Sequence, residues 1–500
     1  MRRACLFVAV MSVVATPSAI ASNGHGPKVD DRVALAASIA SSDSALPVIV
    51  FGKQVNSKND PALTVKSDVA LAVSGTVPAG RLDELAAAPN VAYIAPDVAM
   101  APLGKGGGGN ALTGLSFPAL QALFPATDNA PAAWARGLTG AGVGIAVIDS
   151  GIQANDDYGR SSRVKVQLGF DHGDDGVGHG SLVTHIAAGA SPDGRFVGIA
   201  PGANVVVYNV ASKTGTYTSD VLQALIWVVS NQQAYNIRVV NLSLAETTPS
   251  FASQSVLDTF IDAIANYYNI AIVTSSGNLG ADSMVFAPGN DPFAITVGAT
   301  DTNGTVDPAD DTVTPWSSRG LTYDGVSKPD LVAPGRQIVG ALPYGTTLGK
   351  QAPAANWVVA NGYASSSGTS FSAPQVTGAA AILFQEHPDW TPGQVKWVLV
   401  NTARVTADGS LALDVDAATK YLGIPPSSYS GLAVSSFGMP DWVQTLLNGS
   451  SGFQGNGWNN ASWNRSSWQG NGWNGNGWNT DGWQGNGWNS TGWNDHGFDE

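Results

Sequence analysis

The chain has 500 residues, too many for one compact domain, so two or three folded units plus tails are expected. Apolar residues make up 44%, enough for a large core, whereas charged residues are only 12%, against roughly 25% in an average soluble protein. A net charge of −14 excludes a nucleic-acid-binding face, because a phosphate backbone demands basic side chains.

Arg2 and Arg3 precede an apolar run, Ala4 to Ala15, and a small-residue cleavage pattern, Ala19-Ile20-Ala21. This predicts a signal peptide over residues 1–21 and hence a secreted, extracellular product. No later stretch reaches the roughly 18 apolar residues of a membrane span, so none is expected. The only cysteine, Cys5, lies inside the signal, which leaves no disulfide and no thiolate metal site.

Residues 22–103 read as a small α+β unit. Val48 to Phe51 and Val69 to Val73 are predicted strands, Pro78 to Ala88 a helix with Leu82 and Leu85 on one face, and Val91 to Ile94 another strand. Gly104 to Gly109 contains five glycines around Lys105 and reads as a flexible, protease-accessible joint, opening a linker and extension over 104–132.

From 133 to 422 the pattern changes. Apolar β-rich runs (Val143–Ile148, Val205–Val210, Val239–Leu244, Ile270–Val273, Ile295–Val297) alternate with helical stretches (Val183–Ala188, Ser219–Ala234, Val256–Tyr267, Ala373–Gln385). The fold class is therefore α/β, a parallel sheet covered by helices on both faces, with its chemistry at the carboxyl ends of strands. A linker follows over 423–450. In 451–500 a Trp or Phe recurs every fifth residue, from Phe453 to Phe498, so that eight of the fifteen tryptophans lie in this tail. Three readings of the repeat stay open: a low-complexity extension, a pentapeptide-type β-helix, and a module that contacts a cell surface or polysaccharide through its rings.

Three segments each place a catalytic residue type at a strand end or helix start. Gly144 to Gly151 (GIAVIDSG) runs a buried strand into Asp149, Val177 to Ser181 (VGHGS) sets His179 at a glycine-lined helix entrance, and Gly368 to Pro374 (GTSFSAP) puts Ser370 where a helix begins. A serine hydroxyl is a weak nucleophile that needs an imidazole base, and the imidazole needs a carboxylate to fix its tautomer. A fourth segment, Val273 to Asn278 (VTSSGN), ends a strand with the side-chain amide of Asn278, a donor suited to an oxyanion hole beside the Ser370 N–H. His185 is the rival base, but it lies inside a helix without flanking glycines; His172 belongs to a solvated turn. The acidic loop Asp301 to Asp311 matches no calcium-ligand spacing and reads as solvated.

The blocks VIDSGI, GHGS, NLSL (Asn241–Leu244), SSGN and GTSFSAP, in this order, resemble the subtilisin-like serine proteases, the subtilases. Further matches are VGIAPGA (Val197–Ala203), FAITVGA (Phe293–Ala299), WSSRG (Trp316–Gly320) and KPDLVAPG (Lys328–Gly335), which together cover nearly all of 133–422. The resemblance implies a secreted serine endopeptidase acting on proteins or peptides, with Asp149, His179 and Ser370 as triad and Asn278 in the oxyanion hole. It implies a primary pocket between Ser243-Leu244-Ala245 and Ser275-Ser276-Gly277. Neither wall carries a charge, so an apolar or broad preference is expected, with Glu246 just beyond as a modifier.

Segment 22–103, especially LAAAPNVAYIAPD (Leu85–Asp97), resembles a subtilase propeptide. Its C-terminal strand is expected to remain in the substrate groove as the enzyme's own inhibitor, cut near Met100 to Leu103. No cofactor is expected in the chemistry. Calcium is left open as a stabilising ion with unassigned ligands, because the stretch where several members carry a calcium loop is here only Ser191 to Phe196.

Overall fold

The computed structural model describes residues 28–69, 72–102, 122–153, 155–158 and 162–426, together with a two-residue ladder that pairs Trp478–Asn479 with Gly482–Trp483. The predicted signal, the polyglycine joint and the rest of the tail lie outside the described residues. Two compact units divide at Asp97 and Val98.

The first unit contains α1 (Asp31–Ile39), β1 (Ala45–Gly52), β2 (Thr64–Val69), β3 (Ala72–Pro78), α2 (Leu82–Ala87) and β4 (Val91–Pro96). Its strands form one antiparallel sheet in the order β2-β3-β1-β4. Val48, Val50, Val77, Leu82, Leu85 and Ile94 make the core, so the two leucines three apart do share the buried face. The segment predicted as one strand, Val69–Val73, instead spans the reversal between β2 and β3. β2 went unpredicted because Thr64 to Asp68 is mostly polar and lies on the sheet edge. α1 also went unpredicted; Asp30 caps it by accepting from Arg32 N at 2.8 Å.

The second unit opens with β5 (Ala99–Pro102). It continues through β6 (Gly144–Asp149), β7 (Val164–Gly169), α3 (His179–Ala188), β8 (Asn204–Asn209), β9 (Thr216–Tyr217), α4 (Thr218–Tyr235), β10 (Ile237–Leu242) and β11 (Leu244–Glu246). Then follow α5 (Val256–Tyr267), β12 (Ala271–Ser275), β13 (Ile295–Asp301), β14 (Leu331–Pro334), α6 (Thr369–Glu386) and α7 (Pro392–Asn401). The central sheet runs β7-β8-β6-β10-β12-β13-β14, with all six of these pairings parallel. From β6 the chain goes first to the edge strand β7, returns to place β8 between them, then crosses to β10 and builds outward on the other side through β12, β13 and β14. The crevice beyond the carboxyl ends of β6 and β10 is therefore the switch point where such sheets bind ligands.

Helices cover both faces, as expected. α3 and α6 lie on one face, where Ile145, Val147, Val239, Val273, Leu182, Ile186 and Val376 share a core. α4 and α5 cover the other, burying Val221, Leu225, Val228, Leu257 and Ile261. Two short helices, Phe124–Thr127 and Ala130–Trp134, begin within the predicted linker and extension 104–132 and sink Phe124, Ala130 and Ala133 into the same core. Among the described residues no helix is long and apolar enough to cross a membrane.

A buried ionic cluster ties the strand starts of this sheet to α7. Asp330 pairs with Lys328 at 2.8 Å and Lys396 at 2.9 Å, and the two ammonium groups also donate to the carbonyls of Pro292 and Ala294 and the Thr296 hydroxyl. Burial works against the Asp330 carboxylate, but the two lysines outweigh it and hold its pKa below the usual value. Burial likewise drags Lys396 down to about 8, with Asp330 resisting. Breaking a buried pair from one side strands the remaining charges. Asp330→Asn is therefore expected to cost about 3–5 kcal/mol, measured by chemical denaturation at neutral pH.

Candidate active site

β6 is buried at every residue, so its sequence of apolar side chains and glycine keeps it central, and Asp149 is the first polar group at its carboxyl end. Asp149 Oδ1 lies 2.7 Å from His179 Nδ1, and both side chains are buried. His179 is the first residue of α3, entered through Gly178 at φ +102°. A side chain at Gly178 would meet Thr346, and one at Gly180 would strike the Gly151 carbonyl, so the glycines let the His179 loop close onto the Asp149 loop.

What holds the two loops together is Asp175, which the sequence analysis did not single out. Its carboxylate accepts from Ser150 Oγ (3.0 Å), Val177 N (2.9 Å), Gly178 N (2.6 Å), Ser181 N (2.9 Å) and Ser181 Oγ (2.7 Å). Ser150 Oγ in turn accepts from Gly180 N at 2.9 Å. Burial raises the Asp175 pKa, and these donors resist the rise. For His179, burial opposes the charged ring, but the Asp149 charge and hydrogen bond and the Asp175 charge outweigh it and raise the pKa above the ordinary imidazole value.

Ser370 is the second residue of α6, and every residue from Thr369 to Phe384 is buried. Pro374 lies at the sixth helical position, inside the helix. Proline has no N–H, so the Ser370 carbonyl four residues earlier lacks its helical donor. Ser243 Oγ supplies one at 3.0 Å, while Ser370 Oγ donates to the Ser243 carbonyl at 3.2 Å. This reciprocal pair joins the start of α6 to the link between β10 and β11. His179 Nε2 is buried with no hydrogen-bond partner among the described residues, so Asp149 and His179 are brought into contact whereas the Ser370 hydroxyl is held by Ser243.

Asn278 follows β12. Its Oδ1 accepts from both the N–H and the hydroxyl of Thr369, each at 3.1 Å, which turns the amide nitrogen away from Thr369. Thr369 Oγ1 also accepts from Gly277 N at 3.2 Å. The residue before Ser370 thus orients Asn278, a contact that no local motif discloses.

The residues expected to wall the primary pocket lie on two elements. Ser275 and Ser276 are buried at the end of β12, and Leu244 and Ala245 lie in β11, a short strand outside the main sheet. β5 lies between β11 and β9 in a three-stranded antiparallel sheet. Its register sets Pro102 opposite Leu244, Ala101 opposite Ala245, and Met100 opposite both Glu246 and Thr216. Glu246 is buried and accepts from Thr218 Oγ1 at 2.8 Å.

His185 is buried within α3, with Nε2 3.2 Å from Asp157, far from the role of a base; Tyr363 donates to both Asp157 oxygens at 2.8 Å. His172 is exposed, as expected. Ser191 to Phe196 does not fit a calcium ion: Ser191 Oγ and Asp193 bond each other at 2.7 Å, and Asp193 also takes Arg195. Among the described residues no group of three or more His, Cys, Asp or Glu side chains converges as a metal site.

Comparison with known proteins agrees with this architecture. The sequence is 35% identical to serine protease AprX of Bacillus subtilis over 276 residues, 53% of this chain and 62% of that protein. It is 31% identical to subtilisin Savinase of Lederbergia lenta over 296 residues, 58% of this chain and 96% of the relative. The crystal structure of fervidolysin from Fervidobacterium pennivorans, a keratinolytic enzyme related to subtilisin, shares the fold with a TM-score of 0.58 at 22% identity, covering 81% of this chain and 64% of that one. The family profile of the subtilases matches residues 140–457, so the chain belongs to the subtilase family of serine endopeptidases.

Proposed function

We propose that this chain is an exported endopeptidase, made as a zymogen that cuts itself after Leu103 and hydrolyses peptide bonds through an acyl-enzyme on Ser370. The observation that carries this reading is the register of β5. That register ends with Pro102 opposite Leu244, next to Ser243, the residue whose carbonyl holds the Ser370 hydroxyl. Leu103 follows in the chain and lies outside the described residues. The scissile bond is then Leu103–Gly104, at the entrance to the polyglycine joint, and segment 22–103 is the inhibitor it releases.

In the reaction His179 Nε2 takes the Ser370 proton as the oxygen attacks the substrate carbonyl, while Asp149 stabilises the imidazolium through Nδ1. The oxyanion is met by the Asn278 amide and the Ser370 N–H, at a helix start whose dipole favours negative charge. His179 then gives its proton to the leaving amine, and water hydrolyses the ester by the same route in reverse. No step calls for a cofactor, and a calcium ion would act through stability alone. Glu246 is committed to Thr218, so the uncharged walls Ser243–Ala245 and Ser275–Gly277 favour an apolar or broad residue before the cut. The Trp-rich repeats are assigned a separate role, contact with a cell surface or polysaccharide.

Ser370→Ala is expected to accumulate with segment 22–103 attached, read by intact mass; normal processing in that variant would hand the cut to another enzyme. Because the Asp149 charge raises the His179 pKa, the acid limb of kcat/KM should have its midpoint above the ordinary imidazole value of about 6.5. Asp149→Asn should move that midpoint down and lower kcat by about 10⁴, as replacing the triad carboxylate does in a known serine protease. Asn278→Ala should fold normally and lose about 10²–10³ in kcat, the effect known for one oxyanion-hole donor in subtilisin, a member of the same family.

A further inference from the structure

Beyond Met100 the chain leaves β11, but its carbonyls stay bonded. The Ala99 carbonyl accepts from Thr247 twice, from the backbone N–H at 2.9 Å and from Oγ1 at 3.0 Å. The Val98 carbonyl accepts from Thr218 N at 2.9 Å and lies 3.3 Å from Thr218 Oγ1. Thr218 is the first residue of α4, so its N–H has no partner inside the helix and is free to bind a strand carbonyl. The Thr218 hydroxyl has one hydrogen, and the shorter contact, 2.8 Å to Glu246 Oε1, takes it. Glu246 thereby braces the end of β11 against the first turn of α4, where the helix dipole favours its charge. The side chains follow the same order: Val98 and Met100 are buried and Ala99 is exposed, the alternation of a strand with one face inward.

We propose that Thr247 and Thr218 form two outer subsites, which bind the carbonyls of the fifth and sixth residues before the scissile bond. Glu246 is their positioning residue, setting Thr218 at the right distance from β11. This rests on the reading that β5 lies in the cleft as a substrate does, with Leu103 at the cut. The favoured substrates are then long extended chains with apolar residues at the fourth and sixth positions, rather than short peptides.

The test uses the full chain after self-processing and two p-nitroanilides, Met-Ala-Pro-Leu and Val-Ala-Met-Ala-Pro-Leu. Three added hydrogen bonds at about 1 kcal/mol each, less the cost of ordering two more residues, predict kcat/KM at least about tenfold higher for the longer peptide. Thr247→Val should narrow that ratio, as should Glu246→Ala, and Glu246→Gln, which keeps the acceptor oxygen, should restore it. Equal rates on the two peptides, or variants that slow both equally, would overturn the outer subsites while leaving the protease reading intact. Cleavage of neither peptide would instead defeat the assignment of Leu103 on which the proposal stands.

Discussion

The Asp175 carboxylate is the interaction on which the site depends. A parallel sheet buried on both faces offers polar chemistry at its strand ends, and here the carboxylate at one such end must meet a base that comes from outside the sheet. Asp149 is fixed by β6, but His179 is not on a strand, and the loop before α3 has glycines that would let it wander. Asp175 removes that freedom by taking two N–H groups of the loop, the N–H and hydroxyl of Ser181, and the Ser150 hydroxyl from the Asp149 side. A buried carboxylate is costly unless its lone pairs are filled, and five donors fill them. The 2.7 Å contact between Asp149 and His179 is the product of that restraint.

Ser370 is tied in by a different device. Pro374 deprives α6 of a hydrogen bond, and the unfilled Ser370 carbonyl is met by Ser243, whose own carbonyl receives the Ser370 hydroxyl. One end of the substrate cleft and the start of the catalytic helix are therefore a single hydrogen-bonded unit. Asn278 joins the same unit through Thr369, so Asn278 and the Ser370 side chain are held through neighbouring residues of one helix turn.

The parts legible in the sequence are those encoded locally. Buried strands such as GIAVID are continuous apolar runs, and Asp149, His179, Ser370 and Asn278 each lie in a short block whose glycines and small residues announce a tight turn at a strand or helix end. What escaped was encoded at a distance. Asp175 looks like one acid among several in Asp171–Asp175 until the fold brings Ser150 to it. Thr218 and Thr247 are ordinary until a strand lies against them. In the first unit, α1 is an alanine-rich helix with few large apolar residues to mark its period, and β2 is a polar edge strand without a hydrophobic face. The boundary between units escaped for the same reason: 99–102 reads as the end of the upstream segment, yet its pairing partners are β9 and β11.

That pairing follows from the physics of sheet edges. β11 and β9 are short strands separated by one strand's width, each with unpaired backbone groups on the facing side when the gap is empty. Such edges take up any extended chain of suitable side chains, because the hydrogen bonds are made to backbone and not to sequence. A protease needs this permissiveness to accept many substrates, but it also makes the cleft a template for the enzyme's own chain. β5 satisfies those edges within the same polypeptide, at the high effective concentration that linkage provides. Five of the six residues from Gly104 to Gly109 are glycine, so the side chains that hold β5 to these edges are those of Ala99 to Pro102.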